Sequence, residues 1–302
     1  MTAVVEVGGV EMDLVVDTAS FATQCVTQEG VKGRRTSARH HTSFVGGETV
    51  GDVVEASVRI GGLWIPRMAV VVGLQGMPDG GSDGVLGLLT GCGGGVGCVM
   101  DVGDIPSLSI HRSREESSDW VGGGVSMSLG AWPRRCQGSV RFVHGVPGSG
   151  RGCDAHPSIA NRPWMRLHRI VVAMEQSAGG DCDTLDLEDV WVMFDTALTT
   201  AVSFHHADFD VQCDAQRPIT GILLQQHPDG PEAFVPVHPD SSFPSCVPTC
   251  PALEQMFRGR GWLSPPPFII LGLQFLTQVV AVGFSRCGPE VESTMIEMEN
   301  IL

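Results

Sequence analysis

Two aspartates, Asp17 and Asp195, each end an apolar run and are each followed by a threonine and then a small residue. A pair of carboxylates can hydrolyse an amide bond, because one acts as a base toward water while the other, protonated, acts as an acid. Two carboxylates that lie close together cannot both ionise easily, so their pKa values separate and the pair titrates as a unit. This chemistry requires the chain to bring the two aspartates close together.

The chain contains an internal repeat around these two aspartates. In the first half, the run LVV leads into Asp17-Thr18-Ala19-Ser20, and the segment DGVLG ends at Gly87, 70 residues after Asp17. In the second half, the run VMF leads into Asp195-Thr196-Ala197-Leu198, and the segment FIILG ends at Gly272, 77 residues after Asp195. Each half therefore carries the same pair of apolar segments at similar spacing, which favours the carboxylate pair over two unrelated turn aspartates.

The elements that must position these residues are predicted to be strands. Residues 3–17 and 50–73 each contain two runs rich in valine that are separated by Gly-Gly, which is typical of hairpins. Helix-like segments are scarce, and the clearest candidate lies around 250–260. A stretch rich in glycine, proline and serine at 144–162 predicts a linker. We therefore expect a mostly β chain with one lobe over 1–145, a linker over 146–162 and a second lobe over 163–302.

Composition narrows the possible functions. The chain has 302 residues, of which 42% are hydrophobic and 18% charged, so a packed core is expected. A net charge of −15 argues against nucleic-acid binding, and no apolar run is long enough to span a membrane. Ten cysteines without a CxxC motif favour disulfides over a zinc site. The secretory pathway, vacuole or lysosome, or extracellular space is therefore expected, although the first residues do not read as a signal peptide.

The repeated motifs resemble those of the pepsin-like aspartic proteases. The Asp-Thr-Gly motifs of that family are similar to Asp17-Thr18-Ala19 and Asp195-Thr196-Ala197, and its Asp-Gly-Val-Leu-Gly-Leu segment is similar to Asp83 to Leu88. The segment PWMRL at 163–167 is similar to the one that opens the second lobe of the family. The resemblance implies a bilobal fold of two pseudo-symmetric β lobes, with an active-site cleft between them.

The resemblance also implies roles for particular residues. Asp17 and Asp195 would be the catalytic carboxylates, supported by five neighbours: Thr18, Ala19, Ser20, Thr196 and Ala197. The flap, a hairpin that covers the substrate, would be formed by Phe44, Val45, Gly46 and Gly47. Cys213 with Cys246 or Cys250 resembles the disulfide of the second lobe. A monomer that binds an extended peptide or protein substrate, without a cofactor, is implied.

Several positions depart from the family pattern. Both motif glycines are alanine, Leu198 replaces a serine or threonine, and Gln24 replaces a tryptophan that supports the flap. No metal is assigned to the adjacent pairs His40-His41 and His205-His206, because neighbouring side chains on a strand point to opposite faces. Two hypotheses stay open: an aspartic endopeptidase, and a catalytically silent homologue that binds peptides or proteins.

Overall fold

The computed structural model describes these residues: 1–20, 22–44, 47–76, 81–88, 96–105, 107–112, 125–130, 140–143, 164–174, 184–198, 202–205, 218–225, 227–230, 232–237, 245–246, 268–276, 281–287 and 293–298. Nearly all of them belong to strands, as the valine-rich runs predict. The predicted helical stretch at 250–260 and the predicted linker at 146–162 lie outside the described residues.

The first sheet contains both predicted hairpins. Its strands are β1 (Thr2–Val7), β2 (Val10–Asp17), β3 (Gln24–Cys25), β4 (Gly33–Phe44), β5 (Gly47–Ile60), β6 (Leu63–Gln75) and β7 (Gly84–Gly87). Gly8 and Gly9 join β1 to β2 with positive φ angles of 57° and 86°, which only glycine adopts readily. Their order across the sheet is β1-β2-β7-β3-β6-β5-β4, so β7 inserts between β2 and β3.

The second sheet repeats this arrangement with later strands. They are β11 (Trp164–Met174), β12 (Thr184–Asp195), β13 (Val202–His205), β14 (Ile219–Gln225), β15 (Glu232–Pro236), β16 (Ser245–Cys246) and β17 (Phe268–Gly272). The order is β15-β14-β11-β12-β17-β13-β16. In both sheets an antiparallel hairpin is followed by a parallel partner and then by an antiparallel one: β1-β2-β7-β3 corresponds to β11-β12-β17-β13. The repeat seen in the sequence is therefore a repeat of topology.

A third sheet combines distant parts of the chain. Its strands are β8 (Ser107–Arg112), β9 (Val125–Leu129), β10 (Val140–Val143), β18 (Ala281–Cys287) and β19 (Ser293–Met298), in the order β10-β19-β18-β8-β9. The two helices among the described residues are short: α1 (Val99–Val102) and α2 (Leu273–Leu276).

The described residues fall into two compact units. One contains those of Met1–Ile105, and the other contains those of Pro106–Cys153, Pro163–Thr249 and Gly261–Leu302. The predicted lobe boundary lies outside the described residues and stays a prediction. Among the described residues, no helix is long and apolar enough to cross a membrane.

Each unit has its own apolar core, and the strand that ends in the candidate aspartate is central to it. In the first unit, Leu14 and Val16 of β2 are fully buried. In the second, Val192 and Phe194 of β12 are fully buried, and the ring of Phe194 lies 6.2 Å from that of Phe275 in α2. These side chains fix the strand ends from which the aspartates project.

The expected disulfides can be compared with the structure only at the cysteines among the described residues. Cys25 is a buried free thiol, and the Sγ of Cys98 lies 3.9 Å from the carbonyl oxygen of Gly87. Burial, with a smaller contribution from Asp83, raises the pKa of Cys25 to about 12. The pairing of Cys213 with Cys246 or Cys250 involves Cys213, which lies outside the described residues.

Candidate active site

Asp17 is the last residue of β2, and its carboxylate accepts hydrogen bonds from the turn that follows. The backbone N–H of Ala19 donates to Oδ1 at 2.7 Å, and the hydroxyl of Ser20 donates to Oδ2 at 2.5 Å. The side chain is buried apart from 8% of its surface. Both carboxylate oxygens are thus held by donors, which fixes the orientation of the group.

Strand β7 holds the end of β2 in place. Asp17 pairs with Gly87 in a parallel ladder, and the N–H of Leu88 donates to the carbonyl oxygen of Asp17 at 3.0 Å. At the other end of β7, the side chain of Asp83 accepts the N–H of Asp13 at 2.8 Å. The DGVLGL segment therefore positions the aspartate from two points along β2.

Gly84 makes this close packing possible. Its φ is +149°, and a Cβ at this position would lie 2.0 Å from the carbonyl oxygen of Gln24. No larger residue fits there without moving β3 or β7, because the atom that a Cβ would meet belongs to the backbone of β3.

Asp195 occupies the corresponding place in the second sheet. It ends β12 and pairs with Gly272 of β17 in a parallel ladder, as Asp17 pairs with Gly87. Its Oδ1 accepts the N–H of Ala197 at 2.8 Å and that of Leu198 at 3.3 Å. The N–H donor two residues after the aspartate is common to both halves.

The two halves differ at the third residue after each aspartate. Ser20 donates a hydroxyl to Asp17, whereas Leu198 has no polar side-chain atom and contributes its backbone N–H. Asp195 is also more exposed than Asp17, which is buried. The surroundings of the two aspartates therefore share a backbone hydrogen bond and differ in the side chain three residues later.

Alanine fits the position where the family has glycine. Among the described residues, positive φ angles outside glycine occur only at Asp104 and Asp189, so Ala19 and Ala197 carry no left-handed strain. Each N–H still donates to its aspartate. The neighbouring Thr18 and Thr196 are buried, at 4% and 0% exposure.

The predicted flap lies at the end of the β4–β5 hairpin. Phe44 pairs with Gly47 as the last residues of the ladder, while Val45 and Gly46 lie outside the described residues. Along β5 toward this end, Gly51 stands opposite both Gly73 and Leu74 of β6. The extra residue lies in β6, so this irregularity is a β-bulge of β6, which bends that strand.

Gln24, which stands where the family has a tryptophan, has a polar partner in the structure. Gln24 and Thr49 are both buried, and the hydroxyl of Thr49 donates to Oε1 of Gln24 at 3.2 Å. Gln24 lies in β3, and Thr49 lies in β5 close to the hairpin end. The departure from tryptophan at position 24 was the available signal in the sequence, and it does not identify Thr49 as the partner.

Charged groups line the exposed face of the same hairpin. Glu55 of β5 accepts hydrogen bonds from Arg34 of β4 and Arg67 of β6, at 2.8 and 2.9 Å. These bonds lower the pKa of Glu55 to about 2. Farther along β4, burial and the neighbouring His41 lower the pKa of His40. The described residues contain no cluster of three or more metal-ligating side chains.

Comparison with known proteins supports the fold. No protein family model matches the chain, and no curated protein is similar to it in sequence. Among solved structures, the chain is similar to the aspartic proteinase from Irpex lacteus, at 13% identity and a TM-score of 0.59. The similarity covers 99% of this chain and 94% of that one.

The fold is therefore mostly β and of the bilobal type found in aspartic proteinases. At 13% identity this similarity establishes the fold alone. Activity must be argued from the residues of this chain.

Proposed function

We propose that the chain is an aspartic endopeptidase in which Asp17 and Asp195 act as a catalytic pair. One observation carries the proposal. Each aspartate ends a strand that pairs in parallel with a strand ending in glycine, and each accepts the N–H two residues on. The N–H bond two residues on is common in turns, so the shared parallel pairing with a strand ending in glycine is what distinguishes these two from unrelated turn aspartates.

The hydrogen bonds to the two carboxylates support a division into one general base and one general acid. Asp17 accepts bonds of 2.7 and 2.5 Å, the second from the hydroxyl of Ser20, whereas Asp195 accepts bonds of 2.8 and 3.3 Å from backbone N–H groups; the shorter bonds favour the proposal that Asp17 is the ionised partner. It would act as the base that activates a water molecule. Asp195 would hold the proton in the ground state and protonate the departing amine or the carbonyl oxygen. After cleavage, proton exchange with solvent would restore the pair.

The substrate is proposed to be a peptide or an unfolded segment of a protein in extended conformation. The flap over Phe44 to Gly47 would cover it and reduce the access of water. Strand-like peptides suit a protein built from sheets, because backbone groups provide much of the binding and side-chain pockets the specificity. The net charge of −15 falls in acid, so an acidic compartment of the secretory pathway is proposed as the place of action.

A second candidate is a silent homologue that binds peptides without cleaving them. Leu198 favours it, since leucine cannot donate a hydroxyl to Asp195 as Ser20 does to Asp17. A pair with unequal support could hold its shared proton in the wrong place, and misplaced groups cost on the order of a hundredfold in rate.

The decisive experiment uses a denatured protein as substrate. The purified chain is incubated with reduced, carboxymethylated substrate between about pH 3 and 6, the range in which a carboxylate pair holds one proton. The endopeptidase is expected to produce internal cleavages that a statine-containing peptide blocks. Binding of the same statine peptide without cleavage would favour the second candidate and reject the first.

The variant Leu198→Thr separates the two candidates further. If unequal support limits the reaction, the added hydroxyl should raise kcat by about tenfold, in line with one charge-assisted hydrogen bond. Leu198→Val, which has a similar shape and no hydroxyl, is the matched control and should not raise kcat.

A further inference from the structure

The end of the β4–β5 hairpin is separated from the rest of the sheet by a bend. At Gly51, one residue of β5 opposes two of β6, and a Cβ on Gly51 would lie 2.6 Å from Cγ1 of Val71 and 2.8 Å from the oxygen of Val72. Gly73, one of the two β6 residues in this bulge, has a φ of +67°. The ladder between β5 and β6 thus loses its regular pairing at this point, and the hairpin end lies beyond it.

The Gln24–Thr49 hydrogen bond lies on the hairpin side of this bend. Thr49 pairs with Thr42 across the hairpin, and Thr42 is two residues from the end of β4 at Phe44. Its hydroxyl donates to Oε1 of Gln24 at 3.2 Å, and both side chains are about 95% buried. A hydrogen bond shielded from water in this way resists exchange with solvent better than an exposed one.

The other end of this bond is firmly anchored. Gln24 pairs with Val71 of β6 on one side and Val85 of β7 on the other. Two residues earlier, Ala22 packs with Val53 and Val71 in a buried cluster. Gln24 is therefore fixed by strands on both sides, and it lies seven residues after Asp17.

We infer that Gln24 and Thr49 are positioning residues that hold the hairpin end in register with the segment carrying Asp17. The bond joins β3, which is paired on both sides, to the part of β5 beyond Gly51, where the bulge in β6 interrupts the regular pairing of β5 with β6. The inference rests on the proposed function in one respect only: if the chain is an endopeptidase, this bond sets the flap position that substrate meets. The structural statement is testable without activity.

The test is amide hydrogen exchange on a small set of variants. Thr49→Val removes the donor at constant shape, Thr49→Ser keeps the hydroxyl, and Gln24→Met/Thr49→Val removes both polar partners. The matched control is Thr36→Val, because the hydroxyl of Thr36 donates to the carbonyl oxygen of Val53 at 2.8 Å in the same hairpin, on the other side of the bend.

Thr49→Val and the double variant should each speed exchange at residues 42–44 and 47–48 by about tenfold, the effect of one buried hydrogen bond. Thr49→Ser should restore the slow rate, and Thr36→Val should leave these amides unchanged. The double variant should not exceed Thr49→Val, because Thr49→Val already removes the bond and the added Gln24→Met takes away the acceptor left without this donor. The inference is overturned if Thr49→Val leaves these amides as slow as in the wild type, or speeds exchange equally throughout β1 to β7.

If cleavage is observed, a kinetic readout follows on the same variants. We expect the hairpin to bind substrate equally in the ground and transition states. Thr49→Val, which displaces the hairpin, should therefore raise KM by about tenfold while kcat changes less. If Thr49→Val loses slow exchange and the wild type cleaves no substrate, the positioning role is upheld and the endopeptidase is rejected. If the wild type cleaves substrate and Thr49→Val leaves both exchange and KM unchanged, the endopeptidase is upheld and the positioning role is rejected.

Discussion

Replacing Gly84 with alanine tests how β7 positions Asp17. The new Cβ would lie 2.0 Å from the carbonyl oxygen of Gln24 and 2.9 Å from Cα of Cys25. Both atoms belong to the backbone of β3, which pairs with β7 at this position. Neither can move away as the end of a flexible side chain could.

The loss in free energy of unfolding expected for Gly84→Ala has two contributions. Overpacking against fixed neighbours costs about 1–3 kcal/mol. The φ of +149° adds a cost on the order of 1–3 kcal/mol for a residue with a side chain. The sum, about 2–6 kcal/mol, is a large fraction of the 5–15 kcal/mol that holds a typical domain folded.

Gly81→Ala is the matched control. Gly81 also has a positive φ, +72°, but a Cβ there would have nothing within 4 Å. It should cost only about 1–2 kcal/mol of left-handed strain. The free energies of unfolding are measured by urea titration followed by circular dichroism. Equal destabilisation by the two substitutions, within about 0.5 kcal/mol, would refute the packing argument, because surface changes alone vary by that much.

Three further predictions follow from described contacts. Ser20→Ala should lower kcat by about tenfold by removing one donor to Asp17, with Ser20→Thr as the control that retains a hydroxyl; an unchanged kcat would contradict this role. Cys25, with a pKa of about 12, should not react with a thiol reagent at pH 8 until the protein unfolds, and rapid reaction of the native protein would show that the thiol is accessible. Glu55→Gln should lower the melting temperature above pH 4.5 but not below about pH 2, because a carboxylate whose folded pKa is depressed stabilises above its unfolded pKa and loses this effect as pH falls through the folded one. A difference in melting temperature that persists at pH 1.5 would contradict the ion-pair assignment.

Local features of the fold were predictable from sequence. The Gly-Gly pairs at 8–9 and 61–62 mark turns, and the structure confirms both hairpins, with Val7 opposite Val10 and Ile60 opposite Leu63. The repeated Asp-Thr-Ala segments correctly indicated two equivalent sheets. Turn residues and repeats can be read directly from the sequence, because each depends on residues within one segment or on the comparison of two segments.

Pairings between distant segments were not predictable in the same way. The third sheet joins β8, β9 and β10 to β18 and β19, and no pattern in the sequence specifies that partnership. The polar strand β4 lacks alternation of apolar and polar residues, since it lies at the edge of its sheet. Gln24 could be recognised as unusual, but its partner Thr49 is 25 residues away and becomes evident only in three dimensions.

The catalytic pairing of the two aspartates is tested most directly by two single substitutions, Asp17→Asn and Asp195→Asn. Each keeps the size of the side chain and removes its ability to act as acid or base. Asp13→Asn, four residues before Asp17 on the same strand, is the control for a general effect of losing a carboxylate. With a denatured protein as substrate, each of the first two should lower kcat by about 10²–10⁴-fold, while the control retains wild-type activity. Wild-type activity in either Asp17→Asn or Asp195→Asn would show that the two carboxylates do not act as a catalytic pair.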